Sequence, residues 1–171
     1  INSNKIDYVV KKRPCGSFLA DLDNIDSLHL EVIPQEYPSY GNTDLRSPAI
    51  QIKLENGTTV TDFRYHSHEI YNGKKGLKGL PATYIENKEE AETLEIVMED
   101  TATSVQVILR YGVLPREDII TRNVEIINNG ATPITINRAH SLCLDMPAGD
   151  WESIHFHGRH NMERQMERCE L

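Results

Sequence analysis

The chain has 171 residues, of which 39% are hydrophobic and 26% are charged, and its formal net charge is -8. This composition is typical of one folded domain rather than a disordered segment, and a domain of this length buries roughly 70% of its unfolded surface. The negative charge argues against nucleic acid as a partner, because contacts to phosphates require clustered lysine and arginine.

The distribution of apolar residues and cysteines bears on membrane association and on the cellular compartment of the protein. No stretch approaches the ~18 apolar residues needed to cross a bilayer, so no membrane association is predicted. The chain has no signal-peptide pattern and does not begin with methionine, so its true start is expected to lie upstream. The odd, scattered set of Cys15, Cys143 and Cys169 fits free thiols better than a disulfide framework, which predicts a cytoplasmic protein.

Strict alternation of apolar and polar residues is the dominant pattern, and it first appears strongly at residues 50–55. Alternation at period two predicts a strand with its apolar side chains on one buried face. Asn56 and Gly57 follow at once, and residues 58–65 form the next extended run. Because Asn-Gly is the typical centre of a type I′ turn, the two runs are predicted to pair as a β-hairpin.

The same alternation recurs through the second half of the chain. Strands are predicted at residues 94–98, 104–111, 119–127 and 134–139, with weaker ones at 7–10 and 28–32. Residues 72–81 carry three glycines and three lysines and are predicted to form a surface loop. The most helical window, residues 161–170, is polar all round and is compatible with a short helix, a loop or a strand edge. Short strands separated by turns predict an all-β antiparallel sandwich.

Two pairs of histidines have the i, i+2 spacing that places both side chains on one face of a strand. The pairs are His66 with His68 and His155 with His157, and His160 is a candidate third ligand. A zinc site needs further ligands, and the cysteines are distant in sequence, so hydrogen-bonded surface histidines are the favoured interpretation. No metal site is predicted.

Other catalytic patterns are uninformative or missing from the sequence. With 26 aspartates and glutamates, no chosen pair identifies a glycosidase site, which needs two carboxylates ~5–10 Å apart. No GxSxG, GxGxxG or phosphate-loop motif occurs, so neither a hydrolase nucleophile nor a cofactor is predicted. Five tyrosines are candidates either for stacking on sugar rings or for filling the core and its rim: Tyr37, Tyr40, Tyr65, Tyr71 and Tyr84.

The most specific motif is residues 35–49, QEYPSYGNTDLRSPA. It resembles the signature near the start of bacterial α-galactosidases of glycoside hydrolase family 36. The resemblance covers nearly the whole chain from about Pro34 onward, and His160 stands where many members have tryptophan. Its further matching segments are residues 61–65, 79–84, 90–96, 120–122, 141–145 and 158–164.

This resemblance implies a multidomain parent enzyme. Family members have an N-terminal β-supersandwich of the galactose-mutarotase type, a central (β/α)8 barrel that carries both catalytic aspartates, and a C-terminal antiparallel sheet. No segment of this chain alternates strand and helix as a barrel requires. The resemblance therefore implies that residues 1–171 are a single, truncated N-terminal β-supersandwich domain, inactive alone and without catalytic residues or cofactors.

Partners are also implied by the resemblance. They are the barrel domain of the same chain and the other subunits of a homo-oligomer, with galactosides as a further candidate ligand. In family tetramers, loops of this domain approach a neighbouring active site, and residues 12–23 and 37–46 are the candidates. Asp44 and Arg46 are the tentative substrate-binding residues, because a guanidinium grips hydroxyls in a fixed fork. The favoured alternative is an Asp44–Arg46 pair that shapes the loop.

The leading functional interpretation is a structural and oligomerisation domain. The parent enzyme is expected to hydrolyse terminal α-galactosides such as melibiose and raffinose with retention. One alternative is a stand-alone carbohydrate-binding module. Another is a small sugar mutarotase on the same sandwich, which needs a general acid and a general base in one pocket.

Overall fold

A computed structural model of the chain describes residues 35–41, 47–80, 82–144 and 149–170. The weak strands predicted at 7–10 and 28–32 lie outside the described residues. Within the described ranges, the one helical element is a 3-10 turn at Lys88–Glu90. The strands are β1 (Ile50–Lys53), β2 (Arg64–Asn72), β3 (Glu92–Asp100), β4 (Val105–Leu114), β5 (Ile119–Asn128), β6 (Thr135–Ala139), β7 (Glu152–Phe156) and β8 (Met166–Glu170).

These strands form three antiparallel sheets. The largest has the order β2-β3-β4-β5, so each strand pairs with its neighbour in the sequence. β1 pairs with β6, and β7 pairs with β8. The predicted all-β antiparallel fold is confirmed. No helix among the described residues is long and apolar enough to cross a membrane.

The hydrophobic core lies between β1 and one face of the four-stranded sheet. Ile50 and Ile52 are fully buried, and Leu54 packs at the edge of the same cluster, as the alternation predicts. β4 supplies the centre of the cluster, because Val107 and Leu109 are also fully buried. Two sheets that share one core in this way are the two layers of a sandwich.

The strands predicted in the second half are confirmed with small shifts of their ends. The alternation predicted residues 94–98, 104–111, 119–127 and 134–139, and the observed strands are β3, β4, β5 and β6. The window 161–170, which sequence left open, ends in the strand β8. Residues 73–80 form an irregular segment as predicted, and the Gly73 N–H donates to the Ala91 carbonyl over 2.7 Å.

The hairpin predicted around Asn56 and Gly57 is wrong in its pairing. β1 pairs with β6 and β2 pairs with β3, so the two predicted partners form no ladder. A type I′ turn needs positive φ at both central residues, whereas only Gly57 has one, at 85°. The turn is instead closed by the Leu54 N–H, which donates to the Thr58 carbonyl over 2.9 Å.

A competing partner explains why the chain after this turn leaves β1. The Thr61 N–H donates to the Tyr40 carbonyl, and the Ser39 hydroxyl donates to the Thr61 carbonyl, both over 3.2 Å. Thr61 therefore lies beside Ser39 and Tyr40. The edge of β1 is left to β6, which lies more than eighty residues further along the chain.

Leu109→Ala should lower the free energy of unfolding by about 2–4 kcal/mol, because it opens a cavity at the centre of the core. Val113→Ala, on the same strand but 39% exposed, is the matched control and should cost less than about 1 kcal/mol. Urea unfolding of the chain, followed by circular dichroism, measures both. Equal effects of the two substitutions would contradict the placement of the core.

Candidate functional site

The signature segment is fastened at both ends to the start of β1. The Pro38 carbonyl accepts hydrogen bonds from the Ala49 N–H over 2.9 Å and the Ile50 N–H over 3.3 Å. The Tyr37 hydroxyl donates to the His140 carbonyl over 2.7 Å, beyond the end of β6. The two ends of the signature segment, at Pro38 and at Ala49, are thus held together.

A side chain from β6 holds the second end of the signature segment, at Ser47 and Pro48. Arg138 donates from Nη1 to the Ser47 hydroxyl and to the Pro48 carbonyl, the latter over 3.4 Å. The predicted substrate-binding residues Asp44 and Arg46 lie outside the described residues. The structure therefore describes the anchored ends of the signature segment, on either side of these two residues.

The guanidinium of Arg122 lies next to the signature segment, on the core-facing side of β5. It lies 4.4 Å from the centre of the Tyr111 ring and 5.6 Å from the centre of the Tyr37 ring. Its Nη1 lies 3.4 Å from a carboxylate oxygen of Glu36, while only 5% of the side chain is exposed. Arg122 therefore joins the signature segment to the sheet through two aromatic faces and one carboxylate.

Burial dominates the electrostatics of this cluster. It raises the pKa of Tyr37 to about 12, against the opposing effect of the Arg122 charge, and Cys143 raises it further. Burial also lowers the pKa of Arg122, although Glu36 opposes that shift. All three guanidinium nitrogens are buried without a hydrogen bond among the described residues. The charge is thus held by aromatic faces and Coulomb attraction rather than by directed hydrogen bonds.

The opposite face of the four-stranded sheet carries a cross-strand network of charges. Arg110 on β4 lies 2.6 Å from carboxylate oxygens of both Glu95 on β3 and Glu125 on β5. Lys75 lies 3.1 Å from Glu95 and 4.9 Å above the Tyr71 ring. Burial alone would raise the pKa of Glu95, but hydrogen bonds from Arg110 and Lys75 lower it. This network ties three strands together.

The first histidine pair on β2 does not converge. His66 lies 3.1 Å from the Ser67 hydroxyl and 3.7 Å from a carboxylate oxygen of Glu99. His68 instead contacts the Tyr65 hydroxyl, with Nδ1 and Oη 2.5 Å apart. A bulge between Tyr65 and Ser67 shifts the register here, so the i, i+2 rule fails.

The second histidine pair does converge, on a residue that the sequence interpretation missed. The Nε2 atoms of His155 and His157 lie 3.1 and 2.9 Å from the same oxygen, Oε2 of Glu167. Glu167 lies on β8, opposite His155 in the ladder with β7. His160 is not part of this group, and its side chain is mostly exposed, 3.9 Å from Glu163.

The five tyrosines separate by environment. Tyr37 belongs to the core, Tyr65 packs against it, and Tyr71 lies beneath Lys75. Tyr40 and Tyr84 are exposed, and the side chain of Tyr84 is 82% accessible to solvent. The interpretation of core and rim positions thus fits Tyr37 and Tyr65, whereas Tyr40 and Tyr84 present exposed ring surface.

These features define an antiparallel β-sandwich domain in which the signature segment is anchored to β1 and to the chain after β6. The family described as "Glycosyl hydrolase family 36 N-terminal domain" matches residues 6–171. The chain therefore belongs to the N-terminal domains of glycoside hydrolase family 36.

Relatives with known names agree with this assignment. The chain is 48% identical over 142 residues to alpha-galactosidase AgaA of Geobacillus stearothermophilus, covering 83% of this chain and 20% of that protein. It is 43% identical over 173 residues to the bifunctional alpha-galactosidase/sucrose kinase AgaSK of Mediterraneibacter gnavus, covering 99% of this chain and 18% of that protein. The chain thus spans about a fifth of the length of these relatives.

Solved structures share the fold. The crystal structure of alpha-galactosidase AgaB from Geobacillus stearothermophilus matches with a TM-score of 0.81 and 45% identity, covering 94% of this chain and 22% of that one. A variant of AgaA from the same organism, in complex with raffinose, matches with a TM-score of 0.79 and 42% identity, covering 94% of this chain and 23% of that one.

Tyr37 should make the stability of the domain fall in alkaline solution. An unfolded tyrosine ionises near pH 10, whereas folded Tyr37 holds its proton until about 12, so stability that is complete below pH 10 is lost as the pH rises towards 12. Between pH 8 and pH 11 the wild type should lose about 1 kcal/mol more than Tyr37→Phe. Urea unfolding at the two pH values measures the difference.

The exposed Tyr84 provides the control for this experiment. Tyr84→Phe should keep the pH dependence of the wild type, because it removes an exposed hydroxyl and leaves the buried Tyr37 in place. Identical pH dependence in the wild type and Tyr37→Phe would show that the Tyr37 hydroxyl is not buried.

Proposed function

We propose that this chain is the non-catalytic N-terminal domain of an α-galactosidase that releases terminal α-linked galactose from melibiose, raffinose and related sugars. The relatives AgaA and AgaSK are named as alpha-galactosidases, and variants of AgaA are known in complex with raffinose and with stachyose. Residues 1–171 then form a single, partial β-supersandwich, and the catalytic barrel belongs to another part of the parent protein.

An exposed apolar sheet face is the observation that carries the architectural role. Ile154 and Phe156 on β7 and Met166 on β8 are 49%, 61% and 51% exposed. Phe156 and Met166 are ladder partners, and Ile154 lies two residues from Phe156, so all three share one face of the hairpin. The same face also carries Glu152 and Arg168, which lie 3.5 Å apart, and an exposed apolar patch bordered by polar residues in this way is typical of an interaction surface.

The occupant proposed for this face is the remainder of the α-galactosidase. The relatives are about five times as long as this chain, so most of their surface is absent from it. Covering the apolar hairpin face with the barrel domain buries it within the same protein. Further contacts between such domains build the homo-oligomer.

The chemistry of the parent enzyme follows from the family of retaining glycosidases. One aspartate attacks the anomeric carbon while a second donates a proton to the departing sugar, which leaves a covalent galactosyl-aspartate. The second aspartate then removes a proton from water, and the water oxygen displaces the first aspartate from the anomeric carbon. Both aspartates belong to the barrel, and this domain contributes shape rather than a reacting group.

Asp44 and Arg46 are the proposed contribution of this domain to substrate binding. The described residues on either side of them support this role, because the Pro38 carbonyl accepts hydrogen bonds from the Ala49 and Ile50 N–H groups and holds the two ends of the signature segment beside β1. A guanidinium donates through a rigid fork and a carboxylate accepts from sugar hydroxyls, which suits both residues to contact galactose in a neighbouring subunit.

We also propose a cytoplasmic location for the parent enzyme. Cys169 is an exposed free thiol on β8, a state that persists in a reducing compartment. The scattered spacing of the three cysteines supports the same location.

The natural full-length protein should release galactose from raffinose, with α-galactose as the first-formed anomer, whereas the chain of residues 1–171 should release none. Release is measured by chromatography, and the anomer by proton NMR during the first minutes. Calorimetry of the chain with millimolar melibiose should give no heat of binding, while circular dichroism verifies that the chain is folded.

Each other outcome removes a specific part of the proposal. Hydrolysis by the chain alone places an active site within it. Heat with melibiose identifies a carbohydrate-binding module instead, and accelerated mutarotation identifies a mutarotase. No galactose release by the full-length protein removes the α-galactosidase assignment.

In the full-length enzyme, Asp44→Asn and Arg46→Lys should each lower kcat/KM for raffinose by about tenfold or more, because a hydrogen bond to a charged group contributes about 1.5–3 kcal/mol. Glu55→Gln, in the exposed turn after β1, is the control and should leave kcat/KM unchanged.

A charge swap separates substrate contact from a structural ion pair. If Asp44 and Arg46 only pair with one another, exchanging them should restore activity, because the pair is preserved. If they contact the sugar, the swapped enzyme should remain as impaired as the single variants. Restoration by the swap would therefore overturn the binding role.

A further inference from the structure

The hairpin of β7 and β8 brings three metal-ligating side chains together on the face opposite Ile154 and Phe156. His155 and Glu167 are direct partners in the ladder, and His157 follows two residues after His155. One potential ligand atom from each residue lies within 4.8 Å of the others. We call this group of His155, His157 and Glu167 the hairpin triad.

We propose that the hairpin triad binds a divalent transition-metal ion, with zinc as the fitting cation. Zinc prefers imidazole nitrogen and carboxylate oxygen at about 2.0–2.2 Å, so the ligands of a tetrahedral site lie roughly 3.3 Å apart. The two Nε2 atoms already lie 3.1 and 2.9 Å from Oε2 of Glu167. Small side-chain rotations are enough to admit the ion.

The arrangement of the two rings also suits a shared cation. Their centres are 5.3 Å apart and their planes are inclined at 76°, so the imidazoles meet edge to face. In this orientation both Nε2 atoms point towards one carboxylate oxygen. An imidazole binds a metal ion through one ring nitrogen, so two rings aimed at one point can share one cation.

Exposure leaves room for a fourth ligand. The three side chains are between 38% and 48% exposed, so water can complete a tetrahedron on the solvent side. A site with three protein ligands and water holds its ion without further residues. This proposal does not depend on the α-galactosidase assignment.

The effect of the bound ion would be to fasten the hairpin. Within the part of the chain that the structure describes, β7 and β8 pair only with each other. An isolated two-stranded hairpin is marginally stable in water. Because the ligands come from both sides of the ladder, a metal ion would crosslink the two strands and protect their amide hydrogens from exchange.

The test uses the natural full-length protein after treatment with a chelator. The protein is titrated with zinc alone, and calorimetry measures the binding. The wild type should bind one zinc ion per chain at this site. His157→Gln and Glu167→Gln should each weaken binding by at least about tenfold, since even residues that only orient a ligand typically contribute 10–100-fold. Zinc should slow hydrogen exchange in β7 and β8 of the wild type but not of His157→Gln or Glu167→Gln.

The first histidine pair provides a matched control. The double substitution His66→Gln and His68→Gln removes the same side chains at the same spacing from β2, where they do not converge. This variant should retain zinc binding by the hairpin triad at the affinity of the wild type. Circular dichroism verifies that all variants are folded.

Three outcomes would overturn the proposal. The first is no zinc binding by the wild type, which leaves the triad as ion pairs only. The second is equal zinc affinity in the wild type, His157→Gln and Glu167→Gln, which places the ion elsewhere. The third is loss of zinc binding in the double variant His66→Gln and His68→Gln, while His157→Gln and Glu167→Gln still bind zinc.

Discussion

The packing of β1 against the four-stranded sheet is the contact on which the described fold depends. β1 has only four residues, yet Ile50 and Ile52 are completely buried, and each contributes roughly 1.5–3 kcal/mol through burial. Its ladder partner β6 follows more than eighty residues later. This layer therefore forms only when distant segments meet, whereas the four-stranded sheet is built from strands adjacent in sequence.

Arg122 extends this core to the signature segment. A buried guanidinium is costly unless its charge is compensated, and here Tyr37, Tyr111 and Glu36 surround it. Because Tyr111 and Arg122 are ladder partners, the sheet determines where the guanidinium lies. The segment at residues 35–41 is consequently held by the Tyr37 side chain as well as by the backbone hydrogen bonds of Pro38 and Tyr40.

The sequence predicts the positions of strands, which depend on local pattern. It does not predict which strands pair when the partners are distant in the chain. Alternation identified β3 to β6, and on β3 and β4 alternate side chains such as Ile96, Val107 and Leu109 do face the core. It did not identify the partner of β1, since the Asn56–Gly57 turn suggested a neighbour while Tyr40 and Thr61 made the competing contact. The hairpin triad was missed for a related reason. Glu167 meets His155 only through the register of β7 with β8, which the polar window at 161–170 did not specify.

The two proposals for this hairpin are linked by its register. Ile154 and Phe156 alternate with His155 along β7, so the apolar face and the hairpin triad occupy opposite sides. A slip of one residue would turn both sets of side chains over. A metal ion that joins His155, His157 and Glu167 stabilises a single register, since any other separates the ligands. Such an ion would therefore keep Ile154 and Phe156 together on the face opposite to its own ligands.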